Sequence, residues 1–590
     1  MIGTYAAVTA IVVSSLAIGQ AVICLCGGRR WSWPAPAVGL AMVCAVCWAT
    51  VRLPGDGAIS ATLVLVLTVA AVAFLCGRVE GTRSALSAGG PVALIALLAT
   101  TLPFAVEGHF GILGTSFNPD MSQHLLAADR LAEGQPSQLL NQGYPLGPHS
   151  IVVALHQAFG IGLVQGFSGL TVAVAILACL TALAAFAQLP WLPRTAGALL
   201  VGLTYMVASY FAQGAFKETM QALFLLGFVL ALREGDREWS GLSLRYFPAA
   251  LIATGSIYTY SFPALIWLGG AVVLWLIASA AGGDDREDSP GRESPRSETG
   301  PAAQALGLAF LAFVVLTLPE IGRMLDFHSF ETFDPNGPGL GNLFGQVSPF
   351  EALGIWPSGD FRLAPGDGAV PAAAYYLGIA FGLVLLAYGV VQLWRRRESA
   401  VLAGLAAGAL AYAAARIAGT PYTAAKAIEI ASPLVALAIL MPLLDPAVRF
   451  MGAMRPKGAP LSMASAAAAL FVLAAGLCSL LALANAPVGP TTYTSTLSDY
   501  REAVGEGPTL VLAPPHLLEE EHGTPFLAWE LRGGRVCIRS EEDARPLPQG
   551  VRWVITYAGD WRLRKVSRPP SGETPCPLVA ERQARQGPAR

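Results

Sequence analysis

The sequence predicts an all-α polytopic membrane protein of about fourteen transmembrane helices, with a small α/β domain at its C-terminal end. Three observations predict this. Of 590 residues, 54% are hydrophobic and only 13% charged, less charge than a soluble chain of this size carries. Apolar runs repeatedly reach the roughly 18 to 20 residues that cross a bilayer core. These runs stop before residue 488, and the remainder is polar with short strand-like patterns.

The first run, 5–26, has no basic residues before it, and Gly27-Gly28-Arg29-Arg30 follows it. That is the pattern of a membrane anchor with a stop, not of a cleavable signal peptide. Further spans read at 36–52, 60–76, 90–106, 168–188, 195–212, 218–232, 247–261, 263–281, 301–319, 371–393, 399–415, 428–444 and 461–484. Segment 149–165 is ambiguous, because it is apolar but short and contains His149 and His156. Seven cysteines lie in apolar segments, where a thiol behaves as a small hydrophobe. Cys537 and Cys576 lie in the polar tail, where export would permit one disulfide between them.

Charge sets the orientation, since Lys and Arg in short loops resist export. With 149–165 not crossing, seventeen basic residues fall in cytoplasmic loops and seven outside. With 149–165 crossing, the same residues divide nine inside and fifteen outside. The first arrangement is favoured, placing both termini outside and making 149–165 a re-entrant or interfacial helix. It divides the chain into N-terminal transmembrane helices (1–89), a transmembrane module (90–487) with outer loops 107–150 and 319–371, and an extracytoplasmic domain (488–590). The Asp/Glu/Arg/Ser/Pro-rich segment 282–300 reads as a disordered cytoplasmic linker. A net charge of −2 and the lack of a basic stripe argue against a nucleic-acid partner.

The orientation gathers the chemistry-bearing residues on the outer side. In the first loop, Met121 to Glu133 has helical spacing, and Asn118-Pro119-Asp120 precedes it as a start signal. The ordinary role of Asp120 is then an N-cap, but His124 and Asp129 follow on the same stretch, and His124 shares its face. Lys217 and Glu218 stand at the mouth of a span, where they would pair with each other or snorkel. Tyr258 and Tyr260 lie in an aromatic turn that an interfacial belt would also explain. The long loop 319–371 contains His328, and its Trp356, Asp360 and Arg362 are a mixture suited to stacking on and hydrogen-bonding a sugar ring. Arg416, Tyr422 and Lys426 bring two cations to the headgroup plane, where they could hold a lipid phosphate or simply snorkel.

Together, Asn118-Pro119-Asp120 with His124 and Asp129, the turn Gly143-Tyr144-Pro145-Leu146-Gly147-Pro148-His149, and the Tyr422/Lys426 segment before Pro433 resemble the GT-C membrane glycosyltransferases. The resemblance implies a cell-membrane enzyme of envelope biogenesis that takes sugar from a polyprenyl phosphate. The acceptor it implies is a polysaccharide, glycolipid or protein on the outer face, with membrane lipid as a further partner. It makes Asp120 the base with His124 and Asp129 beside it, and Lys426, Arg416, Lys217 and Tyr422 the holders of the donor phosphate. Glu218, Tyr258, Tyr260, His328, Trp356, Asp360 and Arg362 would contact sugar or acceptor. The first loop has no Asp-x-Asp pair, so a divalent cation is left open and no cofactor is implied with certainty. Two other classes stay open: a transporter or flippase of lipid-linked sugars, and a non-catalytic envelope-assembly subunit. A transporter would usually show internal repeats and ionisable residues near span centres, and the sequence pattern shows neither.

Overall fold

A computed structural model describes the chain apart from residues 116–119, 136, 240, 282–298, 329–338, 454–462, 492–494, 506, 520–522 and 569–590. The expected linker 282–300 therefore lies almost wholly outside the described residues, as does Cys576, the expected partner of Cys537.

Four helices open the chain: α1 (Ile2–Leu25), α2 (Ala35–Thr50), α3 (Asp56–Leu75) and α4 (Thr82–Val106). The first loop carries strand β1 (Ile112–Leu113) and helices α5 (Met121–Ala132), α6 (Gln138–Asn141) and α7 (Gly147–Phe159). There follow α8 (Leu163–Phe186), α9 (Trp191–Gly202), α10 (Tyr205–Ala212), α11 (Phe216–Arg237), α12 (Phe247–Tyr260), α13 (Ala264–Ala281), α14 (Thr299–Thr317) and α15 (Ile321–Phe327). After the long loop come α16 (Ala372–Arg395), α17 (Ser399–Ala418), α18 (Pro421–Ala453) and α19 (Met463–Ala484).

Among the described residues, nine helices are long and apolar enough to cross a membrane, and ten if α9 and α10 form one broken span. The multi-pass character thus holds, while α2 and α13 are shorter apolar helices. Segment 195–212, expected as one span, bends by 51°. At the bend the Thr204 hydroxyl accepts from the Val207 amide at 3.2 Å and starts a new helix. The centre of the bundle is α8 and α18, 89% and 100% buried, whereas α3 is 22% buried and turns Leu65, Val66 and Val69 outward, as a lipid-facing helix must.

Close packing of α1 on α2 requires glycine. A Cβ on Gly39 would lie 1.7 Å from the Ser15 carbonyl oxygen, and one on Gly19 would lie 1.8 Å from that of Ala35. Gly39→Leu is expected to force the two helices apart and lower the thermal midpoint in detergent by several degrees or more. Gly90→Leu, which meets nothing within 4 Å, is expected to leave the midpoint unchanged.

Polar contacts sort the helix ends into two sets. At one end the Arg233 and Arg237 guanidiniums meet Glu398 at 2.8 and 3.0 Å, Arg396 meets Asp445 at 3.0 Å, and Arg30 bridges to Glu80. This is the end whose basic residues the charge count assigns to the cytoplasm. At the opposite end, β1 pairs antiparallel with β2 (Val488–Gly489), tying the start of the first loop to the segment after α19. Helix α7 starts and finishes at this second end: Gly147 packs on Tyr258, while Gln157 donates to the Ala132 carbonyl at 2.7 Å and accepts from the Gly57 amide. Both its ends thus lie at the same end of the bundle, and at 13 residues it is shorter than a membrane span.

The tail folds as a four-stranded sheet in the order β4-β3-β5-β6. Its strands are β3 (Thr509–Ala513), β4 (Val536–Ser540), β5 (Trp553–Tyr557) and β6 (Trp561–Lys565), and only β5 and β6 pair antiparallel. The pattern of buried strands identifies β3 and β5 in the sequence, whereas β6 alternates Arg562 and Arg564 with Trp561 and Leu563, and β4 has only a short apolar run before Arg539. Helix α20 (Gly523–Glu530) lays this domain against α5: Leu126 of α5 packs into the domain's core, and Arg532 reaches Asp129 at 3.7 Å.

Burial, with Glu133 nearby, raises the Asp129 carboxyl to about 6 against the opposing charge of Arg532. A carboxyl whose folded value exceeds its unfolded one favours the packed state below about pH 4, and this contribution is lost as pH rises through about 6. The difference in thermal midpoint between the parent chain and Asp129→Asn is therefore expected to change across pH 4 to 7, with the parent gaining relative stability as pH falls. A difference flat across that range would remove Asp129 as the titrating group.

Candidate active site

The site forms where the starts of α11 and α18 meet the first loop, at the end opposite the Arg233–Glu398 contacts. Lys217 and Glu218 open α11, and Tyr422 and Lys426 lie in the first turns of α18. Lys426 pairs with Glu218 at 2.9 Å and lies over the Tyr422 ring at 4.2 Å. Lys217 stands 3.7 Å above the Tyr144 ring and 5.8 Å from that of Tyr260. The two lysines thus take different partners, and neither of the simpler expectations, a local Lys217–Glu218 pair or a snorkelling lysine, describes them. Both side chains are largely withdrawn from solvent.

Asp120 is the residue whose ordinary explanation fails. It occupies the N-cap position of α5, yet its side chain makes no capping hydrogen bond. Its charge instead acts on Tyr144, Lys217 and Tyr422. One turn on, His124 shares a 3.2 Å hydrogen bond with His149 of α7, and both rings pack edge-on against Phe216. Burial, with the charge of Lys217 beside it, holds His124 well below its usual value, and burial with His124 does the same for His149. The pair is therefore neutral at physiological pH, one ring donating and the other accepting. Burial also pushes the Tyr144 phenol well above its usual value, so it stays protonated.

Tyr144 is held by the second outer element. Arg323 of α15 donates to the carbonyls of Tyr144 at 2.7 Å and Leu140 at 3.2 Å. Gly143, at φ +68°, lets the Arg323 backbone approach so closely that a Cβ there would lie 2.2 Å from its carbonyl oxygen. Arg323 is anchored in turn on buried Glu320, which also accepts from Trp48 Nε1 at 2.7 Å. The long loop continues over Tyr422, whose amide donates to the Gly339 carbonyl, and its Asn342 donates to Gln213.

The remaining expected residues lie elsewhere. Trp356 is packed against Tyr375 at 4.9 Å with 1% exposure, inside the protein rather than on a stacking surface. Asp360 and Arg362 form a bidentate pair with each other, with Arg362 also over the Phe344 ring at 4.4 Å. His328 is exposed near Phe262, and Arg416 is exposed and bonded to Gln346 rather than beside Lys426. The Tyr258 hydroxyl donates to the Leu316 carbonyl at 2.9 Å, a packing role. Asp129 faces the C-terminal domain through Arg532, away from the lysines. Among the described residues, no group of three or more His, Cys, Asp or Glu side chains is placed to hold a metal ion.

Residues that the outer-loop reading passes over also belong here. Tyr144 and His149 sit in the quoted turn but receive no role from it, and Glu429 lies within the apolar run of α18, three residues beyond Lys426. The signal for Glu429 is available in the sequence: a carboxylate inside a span is rare enough to mark a site by itself.

No protein-family model and no curated protein matches the chain. Among solved structures, the chain is similar to the arabinofuranosyltransferase AftD from Mycobacteria, with a TM-score of 0.49 and 14% identity. The match covers 80% of this chain but only 35% of that one.

Proposed function

We propose that the chain is a membrane glycosyltransferase of the GT-C type, moving a sugar from a polyprenyl phosphate to a cell-envelope acceptor on the extracytoplasmic face. The observation that carries this reading is the meeting of two largely buried lysines, Lys217 and Lys426, at the starts of α11 and α18, with the charge of Asp120 acting on Lys217. A base and a cationic phosphate seat are the two groups such a transfer requires.

In this mechanism Lys217 and Lys426 bind the donor phosphate, each as a point charge able to offer charge-assisted hydrogen bonds. Asp120 takes the proton of the acceptor hydroxyl as its oxygen forms a bond to the anomeric carbon. The bond from that carbon to the phosphate oxygen breaks, and its electron pair leaves with polyprenyl phosphate, so attack is in line and the anomeric centre inverts. The neutral His124–His149 pair adds no positive charge to compete with the lysines and holds the α5 turn that carries Asp120. Tyr144 is placed by Arg323 so that its ring face supports Lys217.

The polyprenyl phosphate seat is tested by native mass spectrometry of the detergent-solubilised chain with added polyprenyl monophosphate. Bound lipid that Lys217→Met weakens by about tenfold or more supports the seat, and equal binding by both proteins removes it.

A further inference from the structure

The polar contacts between α11 and α18 do not end at the Glu218–Lys426 pair. One turn further in, Glu429 is fully buried, and among the described residues neither of its carboxyl oxygens has a hydrogen-bond partner. Gln221, one turn beyond Glu218 on α11, is also fully buried, and both its amide nitrogen and its amide oxygen are without partners. The buried Tyr210 hydroxyl, which feels the charges of Glu429, Lys426 and Glu218, is unpartnered as well. The next position inward is satisfied: Ser432 and Thr204 share a 2.7 Å hydrogen bond, and Ser432 donates to the Glu429 carbonyl. At this level of α11 and α18, three neighbouring elements thus each present an unmet polar side chain, next to the lysines.

Leaving such groups unpaired is costly, most of all for a carboxyl with both oxygens unmet, so their grouping beside the lysines marks a place where a ligand supplies the partners. The chemistry selects that ligand. A carboxyl offers two acceptor oxygens, a primary amide donates and accepts, and a phenol does both. A phosphodiester offers only acceptors and so cannot donate to the Glu429 carboxyl, and a hydrocarbon chain would satisfy none of the three. Adjacent hydroxyls satisfy all of them. Three residues of helix place Glu429 about 4.5 Å inward of Lys426, a step that suits the hydroxyls of a sugar whose own phosphate rests on that lysine.

We propose that Glu429, Gln221 and Tyr210 form a subsite that binds the ring hydroxyls of the donor sugar, an inference resting on the glycosyltransferase reading above. The ring hydroxyls donate to Glu429, while the Gln221 amide and the Tyr210 hydroxyl donate to and accept from the remaining ones. The subsite thereby distinguishes glycosylated from bare lipid.

The test is equilibrium binding by the full chain of two probes, bare polyprenyl monophosphate and a panel of polyprenyl-phosphate monosaccharides. The parent chain is expected to bind at least one glycosylated lipid more tightly than the bare one. Glu429→Gln and Gln221→Leu are each expected to erase about 10- to 100-fold of that preference while leaving bare-lipid affinity intact. Tyr210→Phe, which preserves shape and packing, is expected to weaken the preference less, and it keeps the test decisive if a carboxyl or amide variant fails to fold. If the parent prefers glycosylated lipid and folded variants keep the full preference, or lose both probes equally, the subsite is overturned and the glycosyltransferase reading stands. A variant effect confined to the KM of a saccharide acceptor would also overturn it, assigning the level to the acceptor instead. If the parent binds neither lipid, or binds both alike, the subsite falls; binding neither removes the underlying reading as well.

Discussion

Asp120→Asn is expected to lower sugar transfer about 100- to 10,000-fold while leaving the thermal midpoint of the protein nearly unchanged. The size follows from the loss of a general base, because an amide cannot accept the proton of an attacking hydroxyl. The small stability effect follows from the substitution itself: Asn keeps the shape of the side chain and is a good residue at the N-cap position that Asp120 occupies. A residue whose role was to start the helix would behave in the opposite way, tolerating Asn in the assay and losing stability with Ala. Initial rates and thermal midpoints for Asp, Asn and Ala at position 120 separate the two.

Lys426→Met is expected to act on both stability and binding. It strands Glu218, which is 6% exposed, as a buried carboxylate without its cation, a change that typically costs about 3–5 kcal/mol. Adding Glu218→Gln should recover most of that stability, since the buried charge is then gone. It should not recover the phosphate seat, and polyprenyl phosphate affinity should stay about 10- to 100-fold below the parent. Recovery of both stability and affinity in the double variant would make the pair purely structural.

How much of this was legible beforehand depends on what each feature rests on. Hydropathy placed the long apolar helices, because a span must satisfy its backbone internally and cover itself with apolar side chains. Charge counting predicts that 149–165 does not cross, and in the structure Gln157 ties the far end of α7 to Gly57 and Ala132. The broken span at Thr204 was not legible, since a hydroxyl in an apolar run carries no sign of the 51° bend it caps. Within the site, Asp120, His124, Lys217, Glu218, Tyr422 and Lys426 were nameable because they are polar residues at span mouths. Their pairing was not, because Glu218 and Lys426 are more than two hundred residues apart and meet only through the packing of α11 on α18. Trp356 and Arg362 resembled a sugar platform by composition, yet the loop folds its aromatic ring inward and closes the charge on Asp360.

The central claim, that Lys217, Lys426 and the Asp120 carboxylate transfer a lipid-linked sugar, is tested most directly by a single-turnover experiment in proteoliposomes. Purified chain is supplied with polyprenyl-phosphate sugar and an envelope saccharide acceptor, without nucleotide sugar, and both products are followed by mass spectrometry. Polyprenyl phosphate and elongated acceptor are predicted to appear in equal amounts with the parent protein and to be nearly absent with Asp120→Asn. Movement of intact lipid-linked sugar across the bilayer without bond cleavage, or undiminished transfer by Asp120→Asn, would contradict the account.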